Sequence, residues 1–210
     1  MTPQEYLPMY KERGYDAVVV TDHYHQKWFE AQEIVKKDAV EEYFKGYEEL
    51  HAYGEQIGVR VLYGAEVRFA ENGNDYLIYG FEKAFLNDPA AIFQMGAAAF
   101  SKRCRDENVF FMQAHPFRDG CVPADPRLLD AVEATNMNPR HNNHNDLAHA
   151  FAQTNHLTET CGSDCHRLED RCRAAILSQT LPKDTFELAA LLRAGNFSQY
   201  FDKELIEQNM

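Results

Sequence analysis

Several features are missing from this 210-residue sequence, and each absence removes a class of function. No apolar run approaches the roughly 20 residues that span a bilayer, and the opening stretch MTPQEYLPMYKERGYD lacks the apolar core of a signal peptide. A cytoplasmic protein with no membrane partner is expected. The five cysteines, Cys104, Cys121, Cys161, Cys165 and Cys172, are odd in number and contain no CxxC pair, which favours reduced thiols over a disulfide framework. The sequon Asn196-Phe197-Ser198 is then of no consequence. Basic residues are also scarce, 21 Lys and Arg against 33 Asp and Glu, so the chain carries a net charge of −12. Surfaces that bind nucleic acid or anionic lipid draw their affinity from Lys and Arg, so neither is expected as a partner. Only 11 Gly and 8 Pro are present, which excludes collagen-like and low-complexity chains. GxGxxG, GxxxxGK[ST], GxSxG and HExxH are all absent, and with them the signatures of dinucleotide binding, P-loop chemistry, serine hydrolysis and zincin proteolysis.

What is present reads as one α/β domain over residues 1–210. A chain of this size buries roughly 70% of its unfolded surface and needs no metal to fold, so any metal is there for chemistry. Thr2, Pro3 and Glu5 supply an N-cap, a first-turn proline and a capping-box partner, and Gly14 a stop. Strand patterns at Ala17–Thr21, Val59–Tyr63, Glu66–Phe69, Tyr76–Tyr79, Val109–Met112, Ala131–Ala134, Leu157–Thr160 and Ala174–Leu177 alternate with helical stretches. These cover about 40–57, 89–106, 143–154 and 185–194. The Asn72-Gly73 step predicts a hairpin between the third and fourth of these strands. Without a linker or repeat, the βα alternation fits a largely parallel sheet, either a barrel or an open doubly wound sheet.

Strand after strand hands over to a side chain that can bind a metal. The ends read Thr21-Asp22-His23, Gly64-Ala65-Glu66, Ala114-His115-Pro116, Glu133-Ala134-Thr135-Asn136 and Gly162-Ser163-Asp164-Cys165-His166. In parallel α/β folds these ends converge on one face. Three His, one Glu and one Asp form an N/O donor set without thiolate, suited to Zn, Mn or Fe at a water-holding site. A carboxylate can bridge two ions about 3.5–4 Å apart, and Glu66 is the candidate bridge. Arg118, after His115-Pro116-Phe117, can grip a phosphate, and His141 is a candidate substrate contact beside the capping residues Asn142 and Asn143. His51, His149 and His156 read as surface or packing residues, and Cys165 as a neighbour of ligands that points away from them.

These motifs, in this order, resemble the polymerase and histidinol phosphatase (PHP) family of metal-dependent phosphoesterases. The resemblance runs from about residue 1 to 200 and rests most on Thr21-Asp22-His23 and Gly162-Ser163-Asp164-Cys165-His166. It implies a distorted seven-stranded α/β barrel, one to three divalent metals at the strand ends, and hydrolysis of a phosphate ester by metal-bound hydroxide. Carried across, His23 and His166 would share one metal, Glu66 and Asp164 a second, and Glu66 and His115 a third. Asp75 stands near a position the family fills with histidine. His115 or His23 would pass a proton to the leaving group, while Arg118, Asn136 and His141 would contact a small phosphorylated substrate.

One departure is large. The family opens with a strand ending in HxH, and this sequence has no HxH; the first helix resembles the one that follows that strand. The expectation is therefore that Met1 is an internal methionine of a longer protein, that the barrel lacks its first strand, and that the metal between Glu66 and Asp164 binds weakly. The alternative is a degenerate module that binds metal or a partner without turnover, its open seam filled by a second copy in a homo-oligomer.

Overall fold

The computed structural model describes residues 1–31 and 39–202. The first helix, α1 (Pro3–Glu12), begins as its sequence predicts. The Thr2 amide donates to Glu5 Oε2 at 2.9 Å and the Glu5 amide to Thr2 Oγ1 at 3.3 Å, closing a capping box behind Pro3. Next come β1 (Ala17–Val20), a two-residue strand β2 (His23–Tyr24), and helices α2 (Gln26–Ala31) and α3 (Ala39–Ile57). Gly58 stops α3 with a left-handed φ of +75°. Then follow β3 (Arg60–Tyr63), β4 (Ala65–Arg68), β5 (Asp75–Tyr79), α4 (Pro89–Asp106), β6 (Phe110–Gln113) and β7 (Ala131–Asn136). The chain closes with α5 (Asn145–Asn155), β8 (Thr158–Gly162), β9 (Ala174–Leu177), α6 (Thr185–Ala194) and β10 (Ser198–Phe201).

Six strands form one mixed sheet in the order β2-β4-β5-β6-β7-β8. The expected hairpin is present, with β4 and β5 antiparallel and Glu66 opposite Leu77. β1 pairs in parallel with β3, and two bonds carry this pairing into the main sheet: the Gly64 amide to Val20 O (2.8 Å) and the Glu66 amide to Asp22 O (3.0 Å). β9 and β10 form a separate antiparallel ribbon. The expected barrel is therefore not closed among the described residues. The ladder stops at β8, and β1 carries a strand partner on one side only. The sheet is largely parallel, as expected: β2, β4, β6, β7 and β8 run in one direction and β5 alone runs against its neighbours.

Alternation along the strands sorts the sheet into two faces. One face packs Ala65, Val67, Tyr76, Ile78 and Phe111 against α2, α3 and α4, joined by Phe44, Phe93 and Phe100. The other turns Leu62, Leu77, Tyr79 and Met112 toward Leu188 and Leu192 of α6. Charged and histidine side chains gather at one end of this second face. Helix α5 begins two residues later than expected: His144, at φ +46°, is the N-cap residue, and Asn143 is instead buried, its Nδ2 donating to Asn136 O and Asn138 O.

Candidate metal centre

Strand register assembles the centre of the site. His23 stands directly opposite Glu66 on adjacent parallel strands, so both side chains leave the sheet on the same face. The partners of that pair, Tyr24 and Val67, face the apolar side. Glu66 Oε2 lies 3.3 Å from His23 Nδ1 and Glu66 Oε1 lies 3.3 Å from His115 Nε2, so one buried carboxylate reaches two imidazoles with its two oxygens. This is the arrangement expected of a bridging carboxylate. His166 completes the open side: its Nε2 is 3.2 Å from His23 Nε2. His166 Nδ1 lies 3.1 Å from both Asp164 O and Asp164 Oδ1, which favours a proton on Nδ1 and a free lone pair on Nε2.

His23, Glu66 and Asp75 each offer a donor atom within a 4.8 Å span. The fit to a divalent cation rests on two further observations. His23 Nδ1 is buried without a hydrogen-bond partner although a carboxylate faces it, the condition of a donor awaiting a cation. On the other edge of the ring, His23 Nε2 and His166 Nε2 are 3.2 Å apart, close to the roughly 3.3 Å between two ligands at about 2.0–2.1 Å on one tetrahedral ion; with one lone pair on a neutral imidazole, His23 would hold an ion through Nε2 beside His166 or through Nδ1 beside Glu66, not both. The donors present therefore fit a divalent cation.

The other expected residues have further attachments. Asp75, 2% exposed, accepts from Arg68 Nε (2.7 Å) and Nη2 (2.5 Å), and its Oδ2 is 3.7 Å from His115 Nε2. Asp164 pairs with Arg118, which also donates to Asn136 Oδ1 (3.1 Å) and Asn143 Oδ1 (2.8 Å). In this structure Arg118 thus holds Asp164 and the Asn136 loop together. Burial works against the charge on Asp164, but His166 and Arg118 outweigh it and hold its carboxyl well below the usual carboxylate range. His141 is exposed at the rim, where burial and the Arg118 charge lower its pKa. His25 accepts from the Trp28 amide at 3.0 Å; burial and the neighbouring His23 push it down to about 4, so it is neutral near pH 7.

Two positions carry backbone strain. His115 (φ +29°) and Asp164 (φ +46°) adopt positive φ without being glycine, a conformation that collects at functional sites. The His115 amide is held by Glu133 Oε2 at 3.0 Å. Burial opposes protonation of His115, yet bonds to Cys121 (3.8 Å) and Glu66 and the charge of Glu133 raise it to about 10. His166 is raised to about 9, chiefly by Asp164. Both values belong to the metal-free protein.

Glu133 and Asn136 sit three apart on β7, a spacing that in a regular strand puts side chains on opposite faces. A register shift between Glu133 and Thr135 relative to β8 brings both to the site, and Asn136 Nδ2 donates to Glu133 Oε2 at 2.9 Å. A side chain at Gly162 would collide with Glu133, so the adjacent strand carries none there. Four contributors escaped the sequence reading. Arg68, two residues beyond Glu66, shares its face, and alternation alone would have marked it. Cys121 lies in an irregular loop. Asp170, fully buried, accepts from the His166 amide (3.0 Å) and the Arg167 amide (2.8 Å) and takes two bonds from Arg140 (2.5 and 2.7 Å). No local pattern announces Arg140 and Asp170, which meet only through the fold.

No known family profile and no curated protein matches the sequence. Solved structures do match. PsfC from Pseudomonas syringae PB-5123 superposes with a TM-score of 0.68 at 18% identity, over 98% of this chain and 86% of that one. A two-domain protein from Bacteroides vulgatus ATCC 8482, containing a predicted PHP-like metal-dependent phosphoesterase, gives 0.65 at 13% identity, over 98% of this chain and 63% of that one. A candidate metal-dependent phosphoesterase from Bifidobacterium adolescentis ATCC 15703 gives 0.51 at 12% identity, over 99% and 90%. With identities this low the likeness is one of architecture, and this chain therefore shares its fold with PHP-like metal-dependent phosphoesterases.

Proposed function

We propose that this protein is a divalent-metal-dependent phosphoesterase of the PHP superfamily that hydrolyses a small phosphomonoester or nucleotide. The observation that carries the reading is Glu66, whose two oxygens each face a different imidazole at 3.3 Å. His23 and His166 would hold one ion through their Nε2 atoms, and Glu66, His115 and Asp75 a second. When bound, such ions lower the pKa of a water ligand toward 7 and neutralise phosphoryl charge.

The remaining work falls to the chain's own residues. Asp164 fixes the tautomer of His166, and Asp170 fixes the loop that carries it. Arg118, between Asn136 and Asp164, sets a guanidinium charge beside the position of the phosphoryl oxygens, with His141 at the rim. His115 or His23 would give a proton to the departing oxygen only in a state in which it does not ligate a metal. The described residues contain no helix long and apolar enough to cross a membrane, and the acidic balance suits a small substrate in the cytoplasm rather than a nucleic acid.

The test is phosphate release from p-nitrophenyl phosphate, sugar phosphates and mononucleotides with Mn²⁺, Zn²⁺ or Fe²⁺, beside a chelated control and Glu66→Ala. Turnover that requires metal and falls at least 100-fold in Glu66→Ala supports the reading. Turnover that is indifferent to chelation, or absent with every metal and ester, overturns it.

A further inference from the structure

The histidine and carboxylate cluster occupies one end of a cavity of about 890 Å³, within the roughly 300–1,000 Å³ typical of small-molecule sites. Away from the cluster the walls change character. Val19 of β1, Leu62 of β3, Met112 of β6, Ile176 of β9 and Leu188 and Leu192 of α6 all face it. β1 and β9, neither of which belongs to the six-stranded ladder, both contribute to its lining.

Exposed apolar surface is concentrated here. Among the described residues eight large apolar side chains are exposed, and five of them, Met1, Val19, Leu177, Leu181 and Tyr200, line this one cavity. Single exposed apolar residues need no explanation, whereas a cluster marks a binding surface. Charge narrows the ligand further. Of the described residues on the walls, Arg13 is the only Lys or Arg, and it pairs with Asp202. Carboxylates at Asp16, Asp22 and Glu49 also line the cavity, so a second phosphate or a carboxylate on the ligand would meet like charge with nothing to pair it.

We infer that the site takes an amphiphilic phosphomonoester, its phosphate at the His23, Glu66 and His166 end and a neutral, extended apolar alcohol portion along Val19, Leu62 and Met112. The inference rests on the phosphoesterase reading and narrows its substrate class. Hydrolysis forms a bond from the oxygen of water to phosphorus and breaks the ester P–O bond. The alcohol oxygen leaves with the bonding pair and takes a proton, giving a free apolar alcohol and inorganic phosphate.

The experiment compares kcat/KM for methyl, butyl, hexyl and octyl phosphate below their micellar concentrations with Mn²⁺, in the native protein and in Val19→Glu and Leu177→Glu, both at exposed positions. It adds calorimetric binding of the non-hydrolysable methyl- and octylphosphonate. The expected result is a rise of up to about fourfold per buried methylene, the equivalent of about 0.8 kcal/mol, with octylphosphonate binding tighter than methylphosphonate and the octyl-to-methyl ratio reduced in both variants. Turnover that is flat or falling with chain length overturns the apolar assignment and leaves the phosphoesterase standing. Absence of turnover with octylphosphonate still preferred overturns the phosphoesterase and leaves the ligand class standing. Absence of both overturns both.

Discussion

The two faces of the sheet are built from the same strands with opposite outcomes. Toward α2, α3 and α4, rings interlock: Tyr76 stacks on Phe111 with centroids 5.0 Å apart, and Tyr24 meets Phe29, Tyr43 and Phe93 at 4.9 to 5.5 Å. Toward α6 the alternate residues are Leu77, Met112, Glu66 and Glu133; Leu77 and Met112 pack with Leu188 and Leu192, and all of them line a large cavity. The first face buries apolar area at close-packed density; the second holds titratable groups at fixed separations and leaves room beside them. A sheet with one rigid face can support strain on the other, and the positive φ angles of His115 and Asp164 both fall at the cavity.

The sharpest test of that contrast uses neighbours on β6. Phe111→Ala removes a stacked ring from the packed face and is expected to cost about 3–5 kcal/mol in urea unfolding. Met112→Ala, on the cavity face, is expected to cost roughly 2 kcal/mol, because part of its surroundings is already empty. Equal costs would break the distinction.

Asp170→Asn tests the support behind the site. It weakens the bonds to the His166 and Arg167 amides and the pair with Arg140, and is expected to lower metal affinity by roughly 10–100-fold by calorimetry while the fold persists. Unchanged affinity would reduce Asp170 to a structural residue.

The smallest effect concerns Glu133, which burial raises to about 7. A carboxyl whose folded pKa lies above its unfolded value favours the folded state at low pH, and that stability is lost as pH rises from about 4.5 to about 7. In chelator, Glu133→Gln is therefore expected to match the native protein at pH 4 and to exceed it in stability at pH 8, the difference opening between about pH 4.5 and pH 7. A variant less stable at pH 8 would show that the bonds from the His115 amide and Asn136 outweigh burial and stabilise the carboxylate.

Much of this was legible in the sequence, for local reasons. The Thr2 capping box, the Asn72-Gly73 hairpin and the glycine stops depend on residues a few positions apart, and all formed as read. That the strand-end residues His23, Glu66, His115, Asp164 and His166 would meet was legible because parallel strands bring their ends to one face. Three elements were too short or too irregular to read: β2, two residues long, α2, six residues long, and β10, in which only alternate residues are partly buried. Periodicity specifies faces and says nothing about closure, so the order of the ladder could not be read from it. The pairs Arg68–Asp75, Arg118–Asp164 and Arg140–Asp170 reflect which distant charge the fold sets within reach, and burial then holds them.

The account turns on whether Glu66 and its neighbours bind a cation. The most direct measurement is metal content per chain by inductively coupled plasma mass spectrometry, on native protein and Glu66→Ala dialysed in parallel against Mn²⁺, Zn²⁺ or Fe²⁺. The account predicts at least one equivalent in the native protein and loss of it in Glu66→Ala with the circular dichroism spectrum intact. No metal in the native protein, or an equal amount in both, would contradict it.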